Sequence, residues 1–147
     1  TKQDIAMKKF IKTILLIIVA LIVVFIGSYL YLRYMPAKSI DKQPADYTLT
    51  ATALANEYNM ALEKSDKKYI DRIITVSGTI SDISTDQNQA PVFILNDGNA
   101  DAGVLCTIDQ ASAKKASAYS VGDKVTVKGI CTGMLFEVVL NKCIIID

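Results

Sequence analysis

The sequence predicts an all-β domain with accessory helices, preceded by an N-terminal transmembrane helix. Twenty consecutive residues, 13–32, carry no charge and are mostly aliphatic or aromatic. From Ile73 onwards, apolar residues recur at every second position, which is the period of a half-buried strand. Two strand-like segments contain a glycine, and a short helix-like segment separates the third strand from the fourth. These observations predict a small, sharply coiled barrel behind a membrane span.

The apolar segment near the N-terminus has the length of a membrane span. At about 1.5 Å per residue, a helix of this length covers about 30 Å, the thickness of a bilayer's hydrocarbon core. Lipid offers the backbone no hydrogen bonds, so such a segment is helical there. We expect residues 1–12 to form a basic cytoplasmic segment, 13–34 a transmembrane anchor, 35–47 a linker, and 48–147 the barrel domain with an N-terminal helix.

Local positive charge predicts the orientation of this anchor. Lys8, Lys9 and Lys12 lie before the apolar segment, whereas Arg33 alone lies close behind it. Because basic residues stay on the cytoplasmic side during insertion, we expect a single-pass protein of the bacterial cytoplasmic (inner) membrane, with its C-terminal domain outside the cytoplasm. A cleaved secretory signal is the alternative, although its apolar part usually spans only about 7–15 residues. The sequence leaves cleavage open.

A helix is predicted for residues 50–64, before the first barrel strand. Apolar residues recur there at helical spacing, and Thr50 is placed to cap the N-terminus. We expect the apolar stripe to pack on the following sheet rather than to act as a recognition helix. The stripe consists of Leu54, Tyr58, Ala61 and Leu62.

Five strands with one helix among them follow. The order strand, strand, strand, helix, strand, strand is that of the OB-fold, a five-stranded Greek-key barrel. Gly78 and Gly129 fall inside strands, where a small barrel needs tight coiling. Thr132-Gly133 predicts the last turn, and another small antiparallel sandwich is the alternative fold. The predicted strands cover residues 73–83, 92–95, 103–108, 124–132 and 135–146, and a helix capped by Asp109 covers residues 110–118.

Motifs spread over residues 53–147 are typical of one bacterial family. The more specific ones are Gly-x-Cys-x-Gly at 129–133 and Leu-x-x-Cys-Ile at 140–144, while Gly-Asp-Lys-Val-Thr-Val-Lys-Gly at 122–129 is common among OB-folds. With these motifs the chain resembles the tRNA-anticodon-like OB-fold family, whose members are often labelled OB-fold lipoproteins. The resemblance implies an OB-fold of unestablished activity and brings no catalytic motif. The chain departs from the lipoprotein label because no cysteine follows the apolar segment before Cys106. Further similar stretches are Leu54–Tyr58, Lys68–Ile70, Ile74–Ile80, Gly103–Cys106 and Val138–Ile145.

Charge separates the two parts of the chain. Residues 1–40 hold six basic residues and one acid, whereas residues 41–147 hold ten basic and fourteen acidic residues, a net −4. Phosphate contacts dominate nucleic-acid affinity, so an acidic domain makes nucleic acid a less expected partner. The sequence contains no His, which excludes Ser-His-Asp catalysis, Cys-His catalysis and His-based zinc sites within this chain.

Three cysteines, Cys106, Cys131 and Cys143, make a disulfide conceivable outside the cytoplasm. With a tight turn at Thr132-Gly133, Cys131 and Cys143 would lie about 27–30 Å apart, far beyond the roughly 7 Å between Cα atoms that a disulfide allows. Strands three and five of an OB barrel are neighbours, so Cys106–Cys143 is the preferred candidate pair. Three buried thiols that serve as small apolar residues are the alternative.

No side chain is predicted to be catalytic, cofactor-binding or metal-binding. Residues 96–101 lack the residue order and the distal Glu of a calcium loop, so a solvated turn is predicted there. Asp82 and Asp86 are likewise expected to be loop acids. Six aromatic residues could stack on bases, but in a domain without Trp we expect them to serve the core. They are Tyr47, Tyr58, Tyr69, Tyr119, Phe93 and Phe136.

These observations predict a non-enzymatic, extracytoplasmic binding module on a membrane anchor. The OB face formed by barrel strands two and three, with its loops, is where we expect a partner. The acidic charge and the placement favour a protein or an oligosaccharide, without a cofactor. The alternative is a single-stranded nucleic-acid-binding OB-fold protein, whose affinity would fall steeply with salt. An enzyme using Asp/Glu pairs ranks last because no suitable spacing occurs.

Overall fold

The computed structural model describes residues 1–34, 39–98 and 101–146 and divides the chain into two units. The first unit ends at Lys38 and the second begins at Ser39. This boundary lies within the predicted linker, residues 35–47, so the second half of that segment belongs to the globular unit. Ile40 is only 6% exposed there, and the Lys128 Nζ donates to the Asp41 carbonyl at 3.4 Å.

The described part of the first unit is one helix, α1 (Lys2–Tyr34). It is long and apolar enough to cross a membrane, and none of its side chains is buried. A signal sequence near an N-terminus has the same properties. The helix therefore confirms a candidate membrane span, within which the predicted segment 13–34 lies.

Five strands close into a mixed barrel in the second unit, which confirms the predicted OB-fold. The elements of this barrel are β2 (Ile73–Thr85), β3 (Pro91–Leu95), β4 (Val104–Ile108), α4 (Gln110–Ala116), β5 (Lys124–Met134) and β6 (Val138–Ile146). The strands neighbour each other in the order β2, β3, β4, β6, β5, and β5 pairs back onto β2. The β4–β6 pair is parallel and the other barrel pairs are antiparallel.

Alternating side chains of these strands fill the barrel. Val104, Cys106 and Ile108 are at most 1% exposed, which confirms that they share the inner face of β4. Phe93 on the neighbouring strand is fully buried. Removal of such side chains from water is the main force that stabilises a domain of this size. The helix cap is also confirmed, because the Asp109 side chain accepts the Ala111 N–H at 2.9 Å.

Three accessory elements precede the barrel: β1 (Tyr47–Thr50), α2 (Ala51–Met60) and α3 (Leu62–Tyr69). β1 pairs in parallel with the first part of β2 and was not predicted, because four residues carry too short a pattern. Thr50 ends this strand and caps the following helix, since its hydroxyl accepts the Ala53 N–H at 3.2 Å.

The predicted helix over residues 50–64 is broken in two. Leu54 and Tyr58 are buried as expected, but Ala61 and Leu62 are exposed, so the second half of the predicted stripe was wrong. Ala61 leaves the helical region, with φ −156° and ψ 75°. The chain changes direction at that residue, and Tyr69 becomes the buried aromatic side chain of the second helix.

The last turn lies later than predicted. β5 continues through Thr132-Gly133 to Met134, and the chain turns at residues 135–137. Gly133 still has the positive φ (109°) that favours glycine, but it pairs with Val139 inside the ladder. Two register shifts in the β5–β6 pair accommodate the extra residues. The predicted strand break at Thr132-Gly133 is therefore an irregularity within a longer hairpin.

Candidate binding surfaces

The outer surface of β3 and β4 is the surface on which we expected a partner. Ile94 pairs with Leu105, which pairs with Val139 on β6, and all three are half-buried. They form an apolar row that crosses three strands on the side opposite to the core. We call this surface the β3–β4 face; it comprises Asp82, Ser84, Val92, Ile94, Leu105, Thr107 and Val139, of which Val92 is buried.

Two loops continue the β3–β4 face, residues 86–90 and 135–137. Asp86 orders the first loop, because its Oδ1 accepts the backbone N–H groups of Asn88 and Ala90, both at 2.8 Å. The second loop carries Leu135, which is 87% exposed, and Phe136, which is 93% exposed. A bare aromatic side chain beside an apolar row is typical of an interaction site rather than of a domain core.

The charge of this surface is acidic. Neither the β3–β4 face nor either loop contains a basic residue, whereas Asp82, Asp86 and Glu137 are acidic. Further along β6, Lys142 occupies the irregularity between Leu140 and Cys143 and has a positive φ of 52°. Phe93 and Val104 are both buried in the barrel and contribute nothing to this surface.

The aromatic residues considered as stacking platforms lie mostly in the core. Tyr58, Tyr69 and Phe93 are at most 1% exposed. Tyr47 packs edge-on against Tyr69, with ring centroids 5.0 Å apart. Tyr119 packs against Phe93 at 6.2 Å. Phe136 alone among the six candidates is largely exposed, and its position just before β6 could be found only once the turn was correctly placed.

The acidic loop at residues 96–101 starts as a structural turn, and Asn99 and Ala100 lie outside the described residues. Asp97 Oδ1 accepts the Thr79 N–H at 2.8 Å, and its Oδ2 accepts the Thr52 hydroxyl at 3.1 Å. These hydrogen bonds lower the pKa of the Asp97 carboxyl, and the bond with Thr79 has the largest effect. Asp97 thereby covers the part of β2 that lies between the residues paired with the end of β1 and those paired with the end of β3. Among the described residues, no group of three acidic or cysteine side chains is placed to hold a metal ion.

A charged cluster connects the two accessory helices. Glu57 Oε2 accepts hydrogen bonds from the Tyr69 hydroxyl at 2.7 Å and from the Lys68 Nζ at 3.0 Å. These two hydrogen bonds hold the pKa of Glu57 below its usual range, and the bond from Tyr69 has the largest effect. Lys68 also lies 4.6 Å from the centroid of the Tyr69 ring. Because every member has a partner, the cluster fixes α3 against α2 and offers no reactive group.

The structure brings Cys106 and Cys143 together and keeps Cys131 apart. All three cysteines are buried free thiols. Burial above all raises the pKa of Cys143, and the nearby Cys106 thiol adds to this rise. The Cys143 Sγ donates to the Leu140 carbonyl at 3.4 Å. Cys131 contacts the Tyr58 hydroxyl instead, with 3.4 Å between sulfur and oxygen. Cys131 pairs with Leu140, three residues before Cys143, so the predicted separation of about 27–30 Å between Cys131 and Cys143 was wrong. A Cys106–Cys143 disulfide stays a prediction.

The closed barrel with a helix between its third and fourth strands defines the protein as an OB-fold domain. The chain belongs to the tRNA_anti-like family, whose model matches residues 7–145. No curated protein matches the sequence.

The chain is similar to several solved structures. One is a lipoprotein of Klebsiella pneumoniae subsp. pneumoniae whose name attributes nucleic acid binding to it. The match has 17% sequence identity and a TM-score of 0.57, and it covers 71% of this chain and 100% of that one. The S. pombe Stn1–Ten1 complex matches at 24% identity over 51% of this chain and 58% of that one, with a TM-score of 0.40. A Leishmania major protein named as an aspartyl-tRNA synthetase matches at 10% identity over 67% of this chain and 20% of that one, with a TM-score of 0.44. The Klebsiella similarity supports the fold alone.

Proposed function

We propose that this protein is a non-enzymatic binding module that α1 anchors to the bacterial cytoplasmic membrane, with the OB-fold domain outside the cytoplasm. Its partner is a protein or an oligosaccharide held on the β3–β4 face. The observation that carries this proposal is the chemistry of that face: an apolar row beside the bare Phe136, with acidic residues and no basic one.

The apolar row supports a protein in particular. Ile94, Leu105 and Val139 offer a continuous surface, and Phe136 offers an aromatic side chain that a pocket on a partner can enclose. Interfaces concentrate their affinity in such aromatic anchors and deplete charge at their centres. The acids lie at the rim, where they would select partners of complementary charge.

The anchor supports the placement of this module. The mean hydropathy of the most apolar part of α1 is 3.0, and three lysines crowd its N-terminal flank. Basic residues are retained in the cytoplasm, which directs the C-terminal unit outwards. A tethered domain meets partners in the same membrane at a high effective concentration, so a weak face can suffice.

Site-specific photo-crosslinking in intact membranes tests the proposal. A benzoylphenylalanine at position 136 is expected to form a discrete adduct, whereas the same probe at Val121, which is 60% exposed on another loop, is not. Leu105→Lys, on the β3–β4 face, is expected to abolish the adduct. An adduct whose partner yields peptides in mass spectrometry, or whose added mass glycosidase removes, supports the proposal. An adduct whose added mass only nuclease removes contradicts it.

Single-stranded nucleic acid is the second candidate. The name of the similar Klebsiella lipoprotein and the exposed Phe136, which could stack on a base, favour it. It requires a phosphate-binding surface, for which α3 supplies Lys64 and Lys67. Oligonucleotide affinity of the full chain in nanodiscs, measured against salt, tests it: binding that weakens steeply with salt and is lost in Phe136→Ser favours this candidate.

A further inference from the structure

A second surface of different chemistry lies where the accessory elements meet the barrel. A cavity of about 530 Å³ opens there, between the end of β1, the middle of β2 and the start of β5. Its volume lies within the range of small-molecule sites, about 300–1,000 Å³. The five-stranded barrel does not form this cavity alone, because β1 supplies one wall. We call it the hydroxyl cavity, and its polar lining residues are Thr50, Ser77, Asp97, Tyr119, Lys124 and Thr126.

Three hydroxyls form a row across adjacent strands in this cavity. Thr50 pairs with Ser77, and Ser77 pairs with Thr126, so the three side chains share one face of the sheet at neighbouring strand spacing. The Thr50 hydroxyl accepts the Ala53 N–H. Within residues 39–98 and 101–146, the hydroxyls of Ser77 and Thr126 form no hydrogen bond, so both can donate to and accept from a ligand.

The charges at the hydroxyl cavity balance. Asp97 and Lys124 are its two charged lining residues, one of each sign. Lys124 stabilises the ionised form of Asp97, whose oxygens already accept the Thr79 N–H and the Thr52 hydroxyl. An anionic ligand would have to approach this carboxylate, and a cationic ligand would have to approach the ammonium group. A neutral ligand meets neither penalty.

The rest of the lining is apolar. Val125 and Ile146 contribute aliphatic surface, and the Tyr119 ring is held in place by Phe93. A sugar ring combines many hydroxyls with apolar C–H surface and carries no charge. Paired hydroxyl donors and acceptors beside an aromatic ring match that combination.

We propose that the hydroxyl cavity binds a neutral saccharide unit. The ligand hydroxyls bond to Ser77 and Thr126, the charged pair of Asp97 and Lys124 accepts and donates further bonds, and Tyr119 contacts the apolar side of the ring. This site is separate from the β3–β4 face. It goes beyond the proposed function, because it assigns a neutral saccharide unit to a second surface, which accessory strand β1 helps to form.

Saturation-transfer NMR on the full chain in nanodiscs tests the proposal. The probes are glucose, N-acetylglucosamine and their β-linked disaccharides, with glucose 6-phosphate as the charged comparison. We expect saturation transfer to at least one neutral sugar at millimolar concentration, weaker transfer to the phosphate ester, and larger effects for the disaccharide.

Matched variants separate the hydroxyl cavity from the rest of the protein. Ser77→Ala with Thr126→Val removes two hydroxyls and is expected to weaken binding by about tenfold or more. Thr48→Val with Thr75→Val removes two hydroxyls from a neighbouring pair on β1 and β2 that lines neither the hydroxyl cavity nor the β3–β4 face, and is expected to leave sugar binding unchanged. Absence of transfer to every neutral sugar overturns the proposal, as does tighter binding of the phosphate ester or equal binding by both double variants. Since the photo-crosslink at position 136 probes the other face, failure of one proposal is distinguishable from failure of the other.

Discussion

Gly129 and Cys143 lie against each other inside the β5–β6 hairpin. A Cβ placed on Gly129 would lie 2.5 Å from the Cys143 sulfur and 3.0 Å from the Asn141 carbonyl oxygen. Real Cβ atoms do not approach that closely, so the thiol occupies space that only glycine leaves open. The family motifs that contain Gly129 and Cys143 are thus joined by packing, and the glycine acts through its size rather than through its backbone conformation.

A double-mutant cycle measures this contact. Gly129→Ala is expected to lower the free energy of unfolding by about 1–3 kcal/mol because of overpacking. Cys143→Ala removes the sulfur, so the same glycine substitution should cost clearly less in that background. Urea unfolding of the four proteins provides the measurement. Equal costs in both backgrounds would show that the backbone carbonyl of Asn141, and not the thiol, makes the glycine necessary.

The cysteine pairing is open to a direct chemical test. We expect mild oxidation by a disulfide reagent to link Cys106 to Cys143 and to leave Cys131 as a thiol, because Cys131 faces Tyr58. Alkylation under denaturing, non-reducing conditions followed by peptide mapping identifies the pair. A bridge that contains Cys131 would contradict the assignment. Three reactive thiols in the oxidised sample would leave all three cysteines as small apolar residues of the core.

The barrel was predictable because its strands have a period that burial enforces. In β4, alternate residues must be apolar if one face lies in the core, and Val104, Cys106 and Ile108 reveal this directly. The helix between β4 and β5 and its Asp109 cap were equally visible, since the capping hydrogen bond is local.

The elements that sequence reasoning missed depend on contacts between distant residues. β1 forms because it pairs in parallel with β2, and a four-residue segment is too short for its sequence pattern to predict this pairing. The break at Ala61 and the late turn at Leu135 likewise follow from packing rather than from local propensity. The β3–β4 face was expected from the fold, but two features were missed for the same reason: the exposure of Phe136 depends on the turn position, and the row of Thr50, Ser77 and Thr126 depends on register.

Acid is expected to weaken the joint between α2 and α3 through Glu57. Its pKa in the folded state is depressed below the ordinary 4.5, so its contribution to stability is full above that value and is lost as the pH falls through the folded pKa. Glu57→Gln should therefore flatten the pH dependence of the melting temperature in the acid range. The loss at neutral pH should stay below about 1 kcal/mol because the carboxylate is 42% exposed. Glu63→Gln is the matched control in α3, and an equal flattening there would contradict the role of Glu57.

The exposed loop tip should affect binding and not folding. Leu135→Ser and Phe136→Ser remove apolar side chains that are 87% and 93% exposed, so unfolding free energies should change by no more than about 0.5 kcal/mol. The photo-crosslink formed from a probe at Ile94 should nevertheless fall in both variants, because the tip borders the β3–β4 face. A large loss of stability would show that the tip packs within the domain. An unchanged crosslink would exclude it from the partner surface.

The membrane topology can be tested with cysteines introduced on the two sides of α1. The native thiols are buried, so a membrane-impermeant maleimide should not label the folded parent protein. Ser84→Cys should be labelled in intact spheroplasts, because its position is exposed on a domain that we place outside the cytoplasm. Lys2→Cys should be labelled only after permeabilisation. The reverse pattern would place the domain in the cytoplasm. If the Lys2→Cys protein is not labelled even after permeabilisation and its mass is correspondingly lower, α1 is a cleaved signal rather than an anchor.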